Sequence, residues 1–199
     1  QIFFHSSTKS PFLKNFCRYL PVEIINKMKI VLLGYMGSGK TTVGKSISKK
    51  MFVPFYDLDH YIESREKETI TEIFKNKGEI YFHKIEHQYL KEFLEEKEEY
   101  VLSLGGGTPC YACNMDLILD RSNVHSVYLQ ANISTLKERI KRNKAKRPLV
   151  ASLSDEKMSE FIAKHLFERK NFYEQAEYTI SVNHKEVNTV VAEIRIALH

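Results

Sequence analysis

Five short runs of apolar residues, several of them rich in β-branched side chains, alternate with longer amphipathic stretches along the chain. Runs of about four to eight such residues are typical of buried strands, and their alternation with helical patterns indicates strand–helix–strand units. Such units require right-handed crossovers, so the sequence predicts a parallel sheet covered by helices on both faces, an α/β fold. The predicted strands are 28–33, 53–57, 100–104, 125–130 and 178–182.

Between the strands, apolar residues recur at helical spacing. Val43, Ile47 and Met51 repeat at positions i, i+4 and i+8, which predicts a first helix over 42–51 with these side chains buried. The other predicted helices run from a capping box at Thr69 to Gly78, and over 79–96, 133–143, about 156–176 and about 187–198.

A glycine-rich loop follows the first predicted strand. Gly34, Gly37 and Gly39 precede Lys40 and Thr41, which gives the pattern G-x-x-x-x-G-K-[S/T] between a strand and a helix. Glycines allow successive N–H groups to point at phosphate oxygens, and the helix adds the positive end of its dipole. Lys40 would reach the β- and γ-phosphates and the Thr41 hydroxyl would bind Mg²⁺, so the loop predicts nucleotide binding. A tight turn without a ligand is the alternative.

Two more groups follow predicted strands. Asp57 and Asp59 end the second strand, and alternation places both side chains on one face if the extended conformation continues. Side chains at the carboxyl ends of parallel strands face the ligand crevice, although Asp59 could instead cap the next helix. Gly105, Gly106 and Gly107 follow the third strand, where they would let the backbone approach a ligand closely. A plain flexible turn is the alternative there.

The composition is that of an ordinary soluble globular protein of 199 residues, with 43% hydrophobic and 28% charged residues. No apolar run approaches the roughly 18 residues that a transmembrane helix needs. The formal charge of +5 is not concentrated on one element with interleaved aromatics, so we expect no nucleic-acid or membrane partner. Three cysteines are too few for a disulfide framework and favour a reducing compartment. We therefore expect a cytoplasmic protein, working as a monomer.

Residues 1–27 lack a clear period and carry four basic residues against one acidic residue. This composition permits an organelle transit peptide, but the continuous apolar region of a secretory signal is missing. We expect residues 1–27 to form a poorly ordered N-terminal extension and residues 28–199 to form one domain. The segment around Pro148, about 143–156, has no helical period and is predicted to be a loop or lid.

Two short motifs point weakly to metal or redox chemistry. The string from His83 to His87 reads H-x-x-E-H, which can share a zinc ion, but a single five-residue match has little specificity. Cys110 and Cys113 form C-x-x-C, yet a tetrahedral zinc site needs four ligands and the chain has no second pair. We interpret the two cysteines as reduced thiols and predict no metal site at the histidines.

Several motifs together resemble shikimate kinase, a family of small P-loop kinases that phosphorylate the 3-hydroxyl of shikimate. They are GYMGSGKTT, DLD at 57–59, TITEIF followed by GEIYF, SLGGG at 103–107, RPL at 147–149 and ERKNFYEQA at 168–176. The resemblance covers nearly all of residues 28–199. It implies a five-stranded parallel sheet in the order 2-3-1-4-5, ATP and Mg²⁺ as cofactors, and a mobile lid.

On the donor side, the resemblance implies that Thr41 and, through water, Asp57 hold Mg²⁺. Arg139 or Arg142 would lie against adenine, and Arg147 in the lid would close over the reacting phosphoryl group. The residues implied to bind ATP are Gly37, Ser38, Gly39, Lys40, Thr41, Thr42, Arg139, Arg147 and Asn183, the last of which falls in the family's adenine loop.

On the acceptor side, the resemblance implies that Asp59 is the candidate base and that Arg169 pairs with the substrate carboxylate. Without the resemblance, a surface ion pair is the alternative for Arg169 and for Arg147. Lys40, Asp59 and Arg147 are the predicted catalytic residues. The residues implied to bind shikimate are Asp59, His83, Gly105, Gly106, Gly107 and Arg169.

His83 departs from the family's pattern, which usually has an arginine after the position of Phe82. Histidine has at most two donors and cannot form the guanidinium fork with a carboxylate. Two interpretations stay open: His83 contacts the substrate carboxylate, or it fills space while Arg169 binds that group alone. The alternatives to shikimate phosphorylation are a related small-metabolite kinase, such as a gluconate kinase, and a nucleotide-binding regulatory module without turnover.

Overall fold

The computed structural model describes residues 27–142 and 153–199. The predicted N-terminal extension up to residue 26 and most of the predicted lid, with Arg147, lie outside the described residues. Within the described part, five strands form one parallel sheet in the order β2-β3-β1-β4-β5, which confirms the predicted fold. The strands are β1 (Lys29–Leu33), β2 (Phe55–Asp57), β3 (Tyr100–Ser103), β4 (His125–Gln130) and β5 (Tyr178–Ser181).

Seven α-helices flank this sheet within the described residues, and those that were predicted have bounds within about three residues of the predicted ones. No helix in 27–142 or 153–199 is long and apolar enough to cross a membrane. The helices are α1 (Lys40–Met51), α2 (Leu58–Glu66), α3 (Ile70–Glu96), α4 (Asn114–Leu119), α5 (Ile133–Arg142), α6 (Asp155–Tyr173) and α7 (Val187–Ala197).

Strand β1 is the centre of the sheet, and its residues 30–33 are fully buried. It pairs with β3 on one side, where Ile30 lies opposite Val101, and with β4 on the other, where Ile30 lies opposite His125. Strands β2 and β3, which follow β1 in the chain, lie on one side of it in the sheet, and β4 and β5 lie on the other side. The carboxyl end of β1 is therefore the switch point of the sheet, where open α/β sheets bind their ligands.

Helix α3 is bent at Gly78, whose φ of 83° and ψ of 173° are not helical. The predicted pair of helices is thus present as two segments joined at this glycine. The predicted capping box is also present, because the Thr69 hydroxyl accepts from the Glu72 N–H while the Glu72 carboxylate accepts from the Thr69 N–H. The helical spacing of apolar residues over 79–96 also predicts that Tyr89 is buried, but the side chain is half-buried. The buried residues of the second segment are Phe82, Ile85, Glu86, Leu90, Phe93 and Leu94.

The sequence did not predict a 3₁₀ turn at Thr108–Cys110 or the short helix α4, and it suggested helix α2 only through the alternative for Asp59. The turn and α4 have six residues or fewer, which is too short for a helical period to be recognised. Ala112 and Cys113 join them with positive φ angles of 50° and 57°. Cys113 and Cys110 are free thiols, as interpreted from their spacing.

Candidate active site

Three glycines shape the loop between β1 and α1. Gly34, Gly37 and Gly39 have φ angles of 139°, 85° and 103°, which other residues rarely adopt. A Cβ at Gly34 would lie 2.8 Å from the carbonyl oxygen of Leu129 and 3.1 Å from Ser38 Oγ. A backbone atom of the neighbouring strand cannot move away from such a contact. Glycine is therefore required where the loop leaves the sheet.

Lys40 begins α1 and lies inside the curve of this loop. Its Nζ donates to the carbonyl oxygens of Gly34, at 2.7 Å, and Tyr35, at 3.3 Å, and the side chain is buried. Ser38 Oγ is buried as well and has no hydrogen-bond partner within the described residues. A bound phosphate would supply acceptor oxygens to both groups. The loop therefore fits the phosphates that its motif predicts.

Thr41 and Asp57 bring α1 and β2 together. The Thr41 hydroxyl donates to Asp57 Oδ2 at 3.3 Å, and Asp57 Oδ1 accepts from the Asp59 N–H at 3.2 Å. The strand therefore ends at Asp57, which caps α2, and Asp59 lies in the first turn of that helix. The alternation argument for this pair was wrong, and so was the alternative in which Asp59 is the cap. Hydroxyl and carboxylate oxygens are the donors that suit Mg²⁺.

A cleft of about 670 Å³ lies at the carboxyl ends of the central strands. The predicted site residues that line it are Gly37, Ser38, Gly39, Lys40, Thr41, Thr42, Asp57, Asp59, Gly105, Gly106 and Arg139. Four described candidates, His83, Gly107, Arg169 and Asn183, are not part of its lining. Asp59 lies in the cleft despite the error in its predicted conformation, because the first turn of α2 begins directly at the edge of the sheet.

The carboxyl group of Asp59 is electrostatically unusual. Burial, followed by the negative charges of Asp57 and Glu86, raises its pKa to about 6, while Lys40 acts in the opposite direction. A carboxyl group with a pKa nearer neutrality is a stronger base than an ordinary aspartate and is still largely ionised at pH 7. Asp59 is therefore suited to accept a proton from a hydroxyl group in the cleft.

The glycine segment after β3 packs against Asp59. A Cβ at Gly105 would lie 2.8 Å from Thr108 Oγ1, 3.2 Å from Asp59 Oδ1 and 3.5 Å from Glu86 Oε1. The Thr108 hydroxyl donates to Glu86, whose side chain is almost fully buried. Oxygens from three elements thus surround the Cα of Gly105, which does not fit the alternative of a plain turn.

Arg169 reaches the same glycine segment from α6. Its Nη1 would lie 3.5 Å from a Cβ at Gly106, and the Tyr173 hydroxyl donates to the Gly106 carbonyl oxygen. The guanidinium carbon of Arg169 is 5.6 Å from the centre of the Tyr35 ring, a cation–π distance. Within residues 27–142 and 153–199, no carboxylate forms an ion pair with Arg169. The surface ion pair considered for this arginine is therefore not found among the described residues.

His83 lies behind Tyr111 at the far end of the glycine segment. Its Nδ1 lies 3.1 Å from Glu86 Oε2, and its ring stacks on Tyr111 with ring centres 3.6 Å apart and planes inclined by 16°. The Tyr111 ring would in turn lie 3.5 Å from a Cβ at Gly107. Both interpretations of His83 fit this position, which is beside the cleft and not in its lining.

The remaining histidine of the H-x-x-E-H string has a different partner. His87 Nδ1 lies 2.8 Å from Asn114 Oδ1, and the Asn114 amide donates to the Thr108 carbonyl oxygen. Across the part of the chain that the structure describes, no group of three His, Cys, Asp or Glu residues could hold a metal ion. The string therefore forms one edge of a hydrogen-bond network with Thr108.

The network around Glu86 is the part of the site that sequence reasoning missed. Glu86 was considered only as a member of the H-x-x-E-H string and as a neighbour of His83, and neither Thr108 nor Tyr111 was considered. The sequence does indicate that Glu86 is buried, because it lies four residues after Phe82 and hence on the buried face of the helix. An acidic residue at such a position needs partners, and the structure provides the Thr108 hydroxyl and His83.

The other end of the cleft lies between α5 and the loop after β5. Arg139 donates to the carbonyl oxygens of Ser38 and Val182, at 3.0 Å each. Arg142 also lines the cleft and forms an ion pair with Glu138. Asn183 accepts from the Asn132 N–H at 2.8 Å and so joins two loops beside the cleft. Lining residues that were not predicted as site residues are Met36, Val43, Ser103, Leu104, Val182, Lys185, Val187 and Val190.

A phosphate loop and a basic carboxylate that line the same cleft define a class of protein. Phosphoryl transfer depends on the positioning of donor and acceptor and on charge compensation, and both are provided here by neighbouring groups. The class is that of P-loop kinases whose acceptor is a small molecule.

Comparison with known proteins narrows this class. A family model described as shikimate kinase matches residues 36–199. Shikimate kinase from Flavobacterium psychrophilum is 48% identical over 166 residues, which are 83% of this chain and 96% of that protein. The crystal structure of shikimate kinase from Bacteroides thetaiotaomicron, at 35% identity, has a TM-score of 0.80 and covers 86% of this chain and 98% of its own.

A solved structure of shikimate kinase from Acinetobacter baumannii in complex with shikimate is 31% identical, with a TM-score of 0.76. It covers 86% of this chain and 93% of its own. The chain belongs to the shikimate kinase family and is an enzyme of the kinase class.

Proposed function

We propose that this chain transfers the γ-phosphoryl group of ATP to the 3-hydroxyl of shikimate and releases shikimate 3-phosphate and ADP, a step towards chorismate and the aromatic amino acids. The observation that carries the proposal is that Lys40 and Asp59 line one cleft, at the end of the glycine loop and at the first turn of α2. Family membership favours shikimate over gluconate as the acceptor. A regulatory module without turnover would not need a basic carboxylate beside a phosphate loop.

On the donor side, the amides of the glycine loop and Lys40 would hold the phosphates of ATP. Lys40 would exchange its bonds to loop carbonyls for bonds to phosphate oxygens, and its charge would stabilise the transition state. Arg139 would lie towards the adenine, and Asn183 would support the loop beside it. Arg147 would close over the reacting phosphoryl group from the predicted lid.

Thr41 and Asp57 would hold Mg²⁺, directly or through water. The fit rests on the nature of their oxygens and on the 3.3 Å contact between them at the mouth of the glycine loop. When bound, the ion compensates negative charge on the phosphate oxygens.

On the acceptor side, Asp59 would accept the proton of the 3-hydroxyl, and Gly105, Gly106 and Gly107 would lie along the substrate ring. The raised pKa of Asp59 and the position of its carboxylate beside Gly105 support this role. Arg169 would pair with the substrate carboxylate, because its guanidinium lies beside Gly106. His83 would contact the same carboxylate from the Tyr111 side.

A coupled assay of ADP release with shikimate, quinate, gluconate or no acceptor tests the proposal. We expect turnover to depend on the acceptor and to be fastest with shikimate. Faster turnover with gluconate would support the related small-metabolite kinase, and ADP release that ignores shikimate would contradict the proposal.

The proposed working form is a monomer in the cytoplasm, with small molecules as its only partners. The free thiols of Cys110 and Cys113 support a reducing compartment. Light scattering after size-exclusion chromatography measures the mass in solution, and the mass of a dimer would contradict the monomer.

A further inference from the structure

One face of α6 carries four side chains at four-residue intervals: Phe161, His165, Arg169 and Tyr173. Phe161 packs on the His165 ring, with ring centres 4.1 Å apart. Arg169 and Tyr173 contact Gly106, as described above. This face therefore leads along α6 to the acceptor end of the cleft, and His165 lies on it without a role in the proposed reaction.

His165 is joined to the glycine loop through Tyr35. The Tyr35 oxygen lies 3.1 Å from His165 Nδ1, and the Tyr35 side chain is fully buried. Burial, and secondarily the positive charge of Arg169, lowers the pKa of His165 and favours the neutral ring. A neutral ring protonated on Nε2 can accept a hydrogen bond from the Tyr35 hydroxyl at Nδ1.

The Tyr35 ring that His165 holds is also the ring that supports Arg169. An ion pair with a protein carboxylate would fix the guanidinium but would also neutralise it. The face of an aromatic ring fixes it and leaves its charge and its donors available to an anion. No carboxylate in the described part of the chain pairs with Arg169, and the groups that support its guanidinium are the Tyr35 ring and the Tyr173 hydroxyl.

We propose that His165 and Tyr35 are positioning residues for Arg169: the imidazole fixes the Tyr35 hydroxyl, and the Tyr35 ring fixes the guanidinium beside Gly106. The inference rests on the proposed function, in which Arg169 binds the carboxylate of the acceptor. It adds a link between the glycine loop and the acceptor site that runs through side chains of α6.

The test compares His165→Phe with Lys164→Met. Lys164 is a neighbouring exposed residue of α6, and its substitution removes a positive charge. His165→Phe keeps a ring against Phe161 but cannot accept a hydrogen bond. We expect it to raise KM for shikimate about fivefold and to leave KM for ATP and kcat within about twofold, since only the support of Arg169 is lost. Lys164→Met should change none of the three by more than about twofold.

A second substitution of His165 distinguishes a role in positioning Tyr35 from a role in packing against Phe161. In His165→Asn the amide oxygen can occupy the place of Nδ1 and accept from Tyr35, so KM for shikimate should return to within about twofold of wild type. With shikimate methyl ester, which lacks the anionic carboxylate, the difference between wild type and His165→Phe should disappear. A loss in His165→Asn as large as in His165→Phe, or a loss that persists with the ester, would overturn the inference.

A double-mutant cycle tests the route through Tyr35. If the imidazole acts through the hydroxyl, Tyr35→Phe should show the same rise in KM, and the double variant should add nothing further. Additive losses would separate the two residues and contradict the route. Arg169→Gln tests the proposed function on which the inference rests. An unchanged KM for shikimate in that variant would show that Arg169 does not bind the acceptor, independently of the results for His165.

Discussion

The donor and acceptor ends of the cleft are built by different means. The donor end is formed mainly by backbone atoms: glycines with positive φ angles shape the loop, and loop carbonyls accept hydrogen bonds from Lys40. At the acceptor end, side chains from separate elements meet around Gly105, with Asp59 from α2 and Glu86 from α3. A backbone site depends on a short contiguous motif, whereas a side-chain site depends on how several elements pack. Substitutions should therefore act on donor and acceptor separately.

Lys40→Ala should have the largest effect, a fall in kcat of more than about 100-fold, because it removes a charge that stabilises the transition state. Steady-state kinetics measures the loss, and circular dichroism with Tm shows that the fold is kept. Lys45→Ala, an exposed lysine on the same helix, is the matched control and should lose less than about twofold. A kcat for Lys40→Ala within about threefold of wild type would refute the assignment of the loop.

Asp59→Asn should lower kcat about 100-fold while nucleotide affinity stays nearly unchanged, since the carboxylate serves only the acceptor. Isothermal titration with a non-hydrolysable ATP analogue and Mg²⁺ measures that affinity. If the affinity falls as much as kcat does, Asp59 is a metal ligand and the division into two ends is misplaced.

Gly105→Ala should raise KM for shikimate about tenfold with little change in KM for ATP, because the new methyl group would lie 2.8 Å from Thr108 Oγ1 and 3.2 Å from Asp59 Oδ1. Gly107→Ala is the matched comparison, since its methyl group would meet only the Tyr111 ring, at 3.5 Å. Kinetics with each substrate varied in turn measures both. Equal losses in the two variants would contradict the close packing at Gly105.

His83→Arg should lower KM for shikimate about tenfold, the equivalent of about 1.4 kcal/mol, because a permanent charge and forked donors replace an imidazole. The Tyr111 ring that stacks on His83 can also support a guanidinium plane. His83→Gln, which has a donor but no charge, is the control and should bring no gain. An unimproved KM in His83→Arg would support the interpretation that this residue only fills space.

Deletion of residues 1–27 should have the smallest effect, with activity and Tm nearly unchanged. Among the described residues, the deletion removes Lys27 and its ion pair with Glu98, and exposed ion pairs contribute little to stability. Differential scanning calorimetry measures Tm, which should fall by less than about 2–4 °C. A larger loss would show that the segment packs on the domain.

The two ends also differ in how far the sequence predicted them. The loop from Gly34 to Thr41 and the bend at Gly78 were predictable, because each signal lies within a few neighbouring residues. Glu86 and Thr108 are 22 positions apart and Tyr35 and His165 are 130 apart, so only the packed fold brings them together. A period of 3.6 residues places Glu86 on the buried face of α3, but it does not say which hydroxyl will satisfy it.

The conformation at Asp57 and Asp59 shows a second limit. Strand alternation and helix capping compete at the same two residues, and both explain why aspartate occurs there. The capping of α2 by Asp57 decides the outcome, and with it the direction of the Asp59 side chain. Family resemblance identified the residue correctly as part of the cleft lining, although the local argument for its conformation failed.

The position of β1 in the sheet determines how often the donor and acceptor ends of the cleft open in local fluctuations. β1 is bonded on both sides, whereas β2 is an edge strand of three residues that leads directly into α2 and Asp59. Amides in a central strand open only with the whole domain, but an edge can detach in a local fluctuation of lower free energy. Such an opening would move Asp59 and, with it, Asp57, while the glycine loop that follows β1 stays in place. Hydrogen exchange should therefore be slowest in β1 and markedly faster from β2 into α2.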